Sequence, residues 1–164
     1  MKSKIVATLL TALSLLPAFA DKPVKPLIVK APEPWIVEFQ EQAGMQFYTM
    51  TLGAENTAML MLSQWPVPGT SKEIPKLVDS LKVAFLDQVK GNKQLEITST
   101  KHPLKNIDGD GFSGNFVKFE IKGGIVQTMF MIGKDKEIWN GQFTGTEKQW
   151  TEALDILEKI KKKE

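Results

Sequence analysis

The chain offers few parts from which chemistry could be built: it holds one histidine and no cysteine. His102, Ser113 and Asp108 are the residue types of a base, a nucleophile and an orienting acid. Ser113 nevertheless lacks the Gly-x-Ser-x-Gly elbow that exposes a hydrolase nucleophile, because Asn115 stands in the last position. His102 precedes Pro103 and reads as a surface residue at a strand end. A zinc site would have to be completed by carboxylates, which is poor tetrahedral chemistry for that ion. The absence of cysteine removes disulfides and thiol catalysis together. Acidic residues are scattered among lysines, so no pair shares the apolar setting that splits two carboxyl pKa values for glycoside chemistry. We therefore assign no catalytic, cofactor or metal residue from the sequence, and the expectation is a chain that is not an enzyme.

Three patterns remain. Gly109-Asp110-Gly111-Phe112-Ser113-Gly114 has the spelling of a dinucleotide fingerprint, but that motif works only where a helix N-terminus follows to face the pyrophosphate. Here a strand pattern follows, and the stretch reads as a turn. Asp108 and Asp110 have calcium-loop spacing, yet Phe112 and Ser113 replace the third acid and the required glycine. Met59-Leu60-Met61 and Met129-Phe130-Met131 place alternate thioethers on one side of a strand, which suits monovalent copper but equally suits core filling, the reading we prefer. Large apolar residues on loops often anchor partners. On that basis Trp65, beside Pro66-Val67-Pro68, and Phe112, beside the Asp108 to Gly111 turn with Asp108 and Asp110, are the candidate partner-binding residues. The alternative for both aromatics is a lid folded back on the core.

The elements that must position these residues begin after a leader. Lys2 and Lys4 precede a mostly apolar run from Ile5 to Leu16, Pro17 breaks it, and Ala18-Phe19-Ala20 supplies the small residues of a signal-peptidase site. A spanning helix needs about 20 apolar residues, so the expectation is cleavage after Ala20 and a soluble mature chain, periplasmic or secreted. Loss of Lys2 and Lys4 from the 21 cations leaves 19 lysines against 19 acidic residues. Arginine is absent, and with it the planar fork that reads phosphate and guanine edges, which argues against nucleic-acid binding.

Asp21 to Pro34 carries Pro23, Pro26, Pro32 and Pro34 and reads as a stiff linker, within which Leu27-Ile28-Val29 could add as an edge strand. Trp35 to Glu164 reads as one domain. Trp35 to Phe39, Met45 to Leu52 and the fully apolar Ala58 to Leu62 are strands, the last a central one covered on both faces. A helix over Lys72 to Lys90 turns Ile74, Leu77, Val78, Leu81, Phe85 and Val89 to one side. Strands follow at Leu95 to Lys101, Phe112 to Lys122, Ile125 to Ile132 and Glu137 to Phe143, with a two-residue hairpin turn at Gly123-Gly124. Thr146 and Gln149 cap a closing helix with its stripe at Trp150, Ala153, Leu154, Leu157 and Ile160. Lys159 to Lys163 reads as its basic end.

The fold class is therefore α+β, an antiparallel sheet of about six to seven strands flanked by two main helices. Trp35 opening the first strand, the helix before Leu95, the Phe112 to Phe143 meander and the closing helix together resemble the PsbP-like family, which includes a Ran-binding import factor and bacterial envelope proteins. The resemblance covers about Trp35 to Lys161. It implies an αβα sandwich and a non-enzymatic accessory or protein-binding role, with no catalytic residue to carry over. The expected partner is an envelope protein. The alternative is a periplasmic carrier of a small apolar ligand or copper.

Overall fold

Two runs of strand-forming residues separated by one amphipathic helix set the architecture. The computed structural model describes residues 26–66, 69–90, 97–99, 105–109 and 112–162. The leader, His102 and Asp110 lie outside them. In chain order the elements are β1 (Leu27–Ile28), β2 (Trp35–Gln42), β3 (Met45–Leu52), β4 (Met59–Gln64), α1 (Ile74–Lys90), β5 (Ile97–Ser99), β6 (Lys105–Gly109), β7 (Phe112–Ile121), β8 (Ile125–Lys134), β9 (Glu137–Gly145), α2 (Glu147–Glu158) and β10 (Lys161–Lys162). Eight strands form one antiparallel sheet in the order β2-β3-β4-β9-β8-β7-β5, with β6 also paired to β7. The meanders β2-β3-β4 and β7-β8-β9 are joined where β4 lies against β9. The result is an α+β sandwich.

Strand alternation sends side chains to two faces. On one face Tyr48, Met50, Leu60, Leu62, Phe116, Phe130, Trp139 and Phe143 form a buried cluster beneath Trp150, Ala153, Ile156 and Leu157 of α2. Trp150 is its centre, with ring centroids 5.2 Å from Phe116, 5.3 Å from Phe143 and 6.3 Å from Phe130. On the other face Ile74, Val78, Phe85 and Val89 of α1 pack on Val117, Phe119, Met131 and Ile138. Helix α1 therefore lies over β7 and β8.

Both helices are approached through capping boxes. The Thr70 N–H donates to the Glu73 carboxylate at 2.7 Å, and a 3-10 turn at Ser71–Glu73 leads into α1. Pro75 thus falls in the first turn of the α-helix, where an amide donor is dispensable. At α2 the box is closed in both directions: the Thr146 N–H donates to Gln149 Oε1 at 2.8 Å, and the Gln149 N–H to Thr146 Oγ1 at 3.4 Å.

Several details differ from the sequence reading. The stretch from Pro26 is packed rather than a free linker: Leu27 is buried, and the strand foreseen at Leu27-Ile28-Val29 forms over Leu27–Ile28, though it pairs antiparallel with β10 and not with the main sheet. The basic run is accordingly no helix end. Glu158 ends α2, Ile160 is fully buried, and Lys161 and Lys162 extend as a strand. The Gly123-Gly124 connection has three residues, since Ile121 pairs with Ile125; both glycines take positive φ, 97° and 78°. Strand β6 was missed because Lys-Asn-Ile-Asp-Gly has only one strongly strand-forming residue.

The β1–β10 ribbon is held by Tyr48. Its hydroxyl accepts from the Leu27 N–H at 2.8 Å and donates to the Leu27 carbonyl at 3.1 Å. Burial raises the Tyr48 pKa above its ordinary 10.0, against a smaller lowering by the Leu27 bond. The folded chain thus keeps a proton that the unfolded chain has lost, and stability falls as pH rises from about 10 through the folded pKa. In urea titrations across that range the decline should be shallower for Tyr48→Phe than for the parent, while at pH 7 the variant loses about 1–2 kcal/mol with the two bonds. A second expectation concerns Gly141, where an added Cβ would run into the Phe130 ring and the Met61 carbonyl. Gly141→Ala should cost about 1–3 kcal/mol by overpacking, read as a lowered urea midpoint with an unchanged slope.

Candidate functional site

The side of the sheet under α1 is only partly covered, and a cleft of about 610 Å³ occupies the space left beside the helix. Its position follows from register. Met61 pairs with Gln142 and Gln142 with Met129, while Phe47 pairs with Ser63 and Ser63 with Asn140. These residues share the α1 face and form two cross-strand rows. Met45 and Phe47 from β3, Leu81 from α1 and Trp65 from the segment after β4 complete the walls.

The polar groups in these rows are already oriented. The Ser63 hydroxyl donates to Asn140 Oδ1 at 2.8 Å, and the Gln142 side-chain amide donates to Met61 Sδ at 3.5 Å. Trp65 is fixed by its backbone N–H, which donates to the Ile138 carbonyl at 2.8 Å, and its side chain packs half-buried against the α1 cluster. Among the described residues, none of the sixteen that line the cleft is Asp, Glu, Lys, Arg or His. Protein surfaces carry roughly 25–35% charged residues, so about four or five would be expected in such a set. The one titratable side chain in the lining, Tyr48, spends its hydroxyl on Leu27. The cleft is therefore an apolar hollow with amide and hydroxyl groups, of a volume that suits a small molecule.

The candidate residues from the sequence separate. Trp65 belongs to this cleft. Phe112 does not stand on a loop: it opens β7, is 3% exposed, and packs in the cluster on the α2 face. The Asp108 to Gly111 stretch gave it the look of a loop residue, but the pairing of Gly109 with Phe112 carries the sheet up to it. Trp65 and Phe112 thus lie on opposite faces and form no common surface. Asp108 lies in β6 opposite Ser113 of β7, and Asp110 lies outside the described residues. The glycine motif joins strand to strand, with no helix to receive a pyrophosphate. Among the described residues no three of His, Cys, Asp and Glu gather where a metal could be held.

The methionine pairs read from the sequence resolve differently. All four lie on the α1 face, but only Met131 is fully buried; Met61 and Met129 line the cleft. The cleft amides, Asn140 and Gln142, were missed because they stand in strands whose neighbours read as core. Their only signal was their alternation with Trp139, Gly141 and Phe143.

No family model matches the sequence, and no curated protein matches it. Among solved structures, a crystal structure from Bacteroides thetaiotaomicron VPI-5482 is similar at 12% identity and a TM-score of 0.47, over 84% of this chain and 45% of that one. This chain thus spans less than half the length of that protein. No helix among the described residues is long and apolar enough to cross a membrane.

Of the four tryptophans, Trp35, Trp139 and Trp150 are at most 6% exposed. Trp65 should therefore account for nearly all quenching of tryptophan emission by acrylamide. Trp65→Phe is expected to abolish the quenchable fraction in a Stern–Volmer titration.

Proposed function

We propose that this chain is an exported, non-enzymatic binding module whose cleft takes an uncharged, partly apolar small molecule. The observation that carries the reading is the composition of the cleft: apolar walls, oriented amides and, among the described residues, no ionic group. A charged ligand would lose hydration there without gaining a partner, whereas a neutral one could bury its body against Met45, Phe47, Met61 and Trp65 and bond to the amides. The leader supports export, and the order of strands and helices is in keeping with the PsbP-like resemblance and its non-enzymatic role.

Two earlier expectations change weight. An envelope protein held by aromatic anchors retains Trp65 but loses Phe112 to the core. Copper is less favoured than an organic ligand, because Gln142 lies between Met61 and Met129 and binds the Met61 sulfur. The two methionine backbones are two strand spacings apart, about 10 Å.

The test compares a neutral probe with a charged one. N-phenyl-1-naphthylamine should bind the chain from Asp21 onward saturably, one per chain, and at least tenfold more tightly than its sulfonated anionic analogue. Gln142→Glu, which places a carboxylate in the cleft, should weaken the neutral probe about tenfold while the far-UV spectrum is unchanged. Equal binding of both probes, or indifference to Gln142→Glu, would refute the reading. Tight copper(I) binding that perturbs the Met61 and Met129 methyl resonances would instead favour the metal.

A further inference from the structure

The two amides of the cleft are each held at one end, and at opposite ends. Asn140 faces Ser63 across the β4–β9 ladder, and Gln142 faces Met61. The Ser63 hydroxyl donates to Asn140 Oδ1 at 2.8 Å. The end of Asn140 turned from Ser63 is therefore Nδ2, which can only donate. Gln142 is set the other way round. A thioether accepts and has no proton to give, so Met61 Sδ takes Gln142 Nε2, at 3.5 Å. The end left by Met61 is Oε1, which can only accept. Asn140 is 7% exposed and stands beside the fully buried Met131 in the β8–β9 ladder, so its amide is confined as well as bonded. The cleft thus presents a donor and, two residues further along the same strand face, an acceptor.

We infer that the ligand of this cleft carries a secondary amide, laid along β9 with its carbonyl on Asn140 Nδ2 and its N–H on Gln142 Oε1; the inference rests on the cleft being a small-molecule site. Residues two apart on a strand lie about 7 Å from each other. A trans amide bonded at both ends needs a similar span: two hydrogen bonds of about 2.9 Å each, and roughly 2 Å between its own oxygen and nitrogen along that line. A single hydroxyl, bonding twice through one oxygen at a tetrahedral angle, spans only about 5 Å. An ester or ketone brings the carbonyl without a donor, so Gln142 Oε1 would give up water and gain no partner. A charged group would lose hydration and meet no counter-ion among the described residues of the lining. The amide's two substituents then lie against the apolar walls, among them Met45, Phe47, Trp65 and Met129. Asn140 and Gln142 are on this reading the specificity-determining residues, and Ser63 and Met61 are the positioning residues that give them opposite polarity.

A matched amide and ester test this directly. N-methyl-2-naphthamide and methyl 2-naphthoate have the same shape and no charge, and differ in one N–H. Each is titrated as a competitor of bound N-phenyl-1-naphthylamine on the chain from Asp21 onward. The amide should displace the dye about tenfold more tightly than the ester, the worth of one hydrogen bond to a group otherwise left unmatched. In Gln142→Met, of similar length but without the carbonyl, the amide should fall to the affinity of the ester, whose own affinity is unchanged. Asn140→Leu should weaken both probes about tenfold, because both carry the carbonyl that Asn140 meets. The far-UV spectrum should be the same for all three proteins. Equal affinity of amide and ester for the parent, or an amide preference that survives Gln142→Met, overturns the inference while the bound dye leaves the cleft reading in place. Failure of the dye itself to bind overturns both.

Discussion

A helix with its side chains is about 10 Å across, whereas seven strands at about 4.8 Å spacing span nearly 30 Å. One helix therefore covers two or three strands and leaves the rest of a face to be covered by something else. Helix α1 lies on β7 and β8, so the half of its face formed by β3, β4 and β9 carries no helix. The hollow that results lies where the two meanders join. Its walls come largely from half-buried residues, among them Met45, Phe47, Met61, Trp65 and Met129.

The opposite face meets the same constraint in another way. Helix α2 has only twelve residues, and beyond it the chain ends are drawn in: Leu27 and Ile160 complete the cluster, and β1 pairs with β10. Tyr48 holds this ribbon from within the sheet, and the Trp35 indole N–H reaches Glu152 of α2 at 3.3 Å. The sealed face and the open one thus differ in what reaches them. Leu27 and Ile160 supply apolar cover on one side; on the other, among the described residues, α1 and Trp65 do.

Much of this was legible in the sequence. The helical stripes at Ile74 to Val89 and Trp150 to Ile160, the Thr146 and Gln149 cap, and the second meander follow from periodicity, which is local. What was not legible depends on which strand lies beside which. The pairing of β4 with β9 brings residues some eighty positions apart into one row, and nothing near Met61 announces Gln142. Phe112 misled because glycines and aspartates around it imitate a loop, whereas it opens β7 and joins Phe116 and Trp150 in the buried cluster on the α2 face. β10, two residues long, is a strand only because it meets Leu27–Ile28.

Charge placement separates the two open surfaces of the molecule. About a quarter of the residues are charged, yet none of the described residues lining the cleft is an acid, lysine or histidine, while β2 carries Glu38 and Glu41 among its apolar residues. An uncharged hollow gains little from electrostatic steering and must select by shape and hydrogen bonds, which the oriented amides of Asn140 and Gln142 are placed to do. The meeting of β2 and the cleft at Gln42 means that the sheet which builds the hollow also sets the distance from it to the edge.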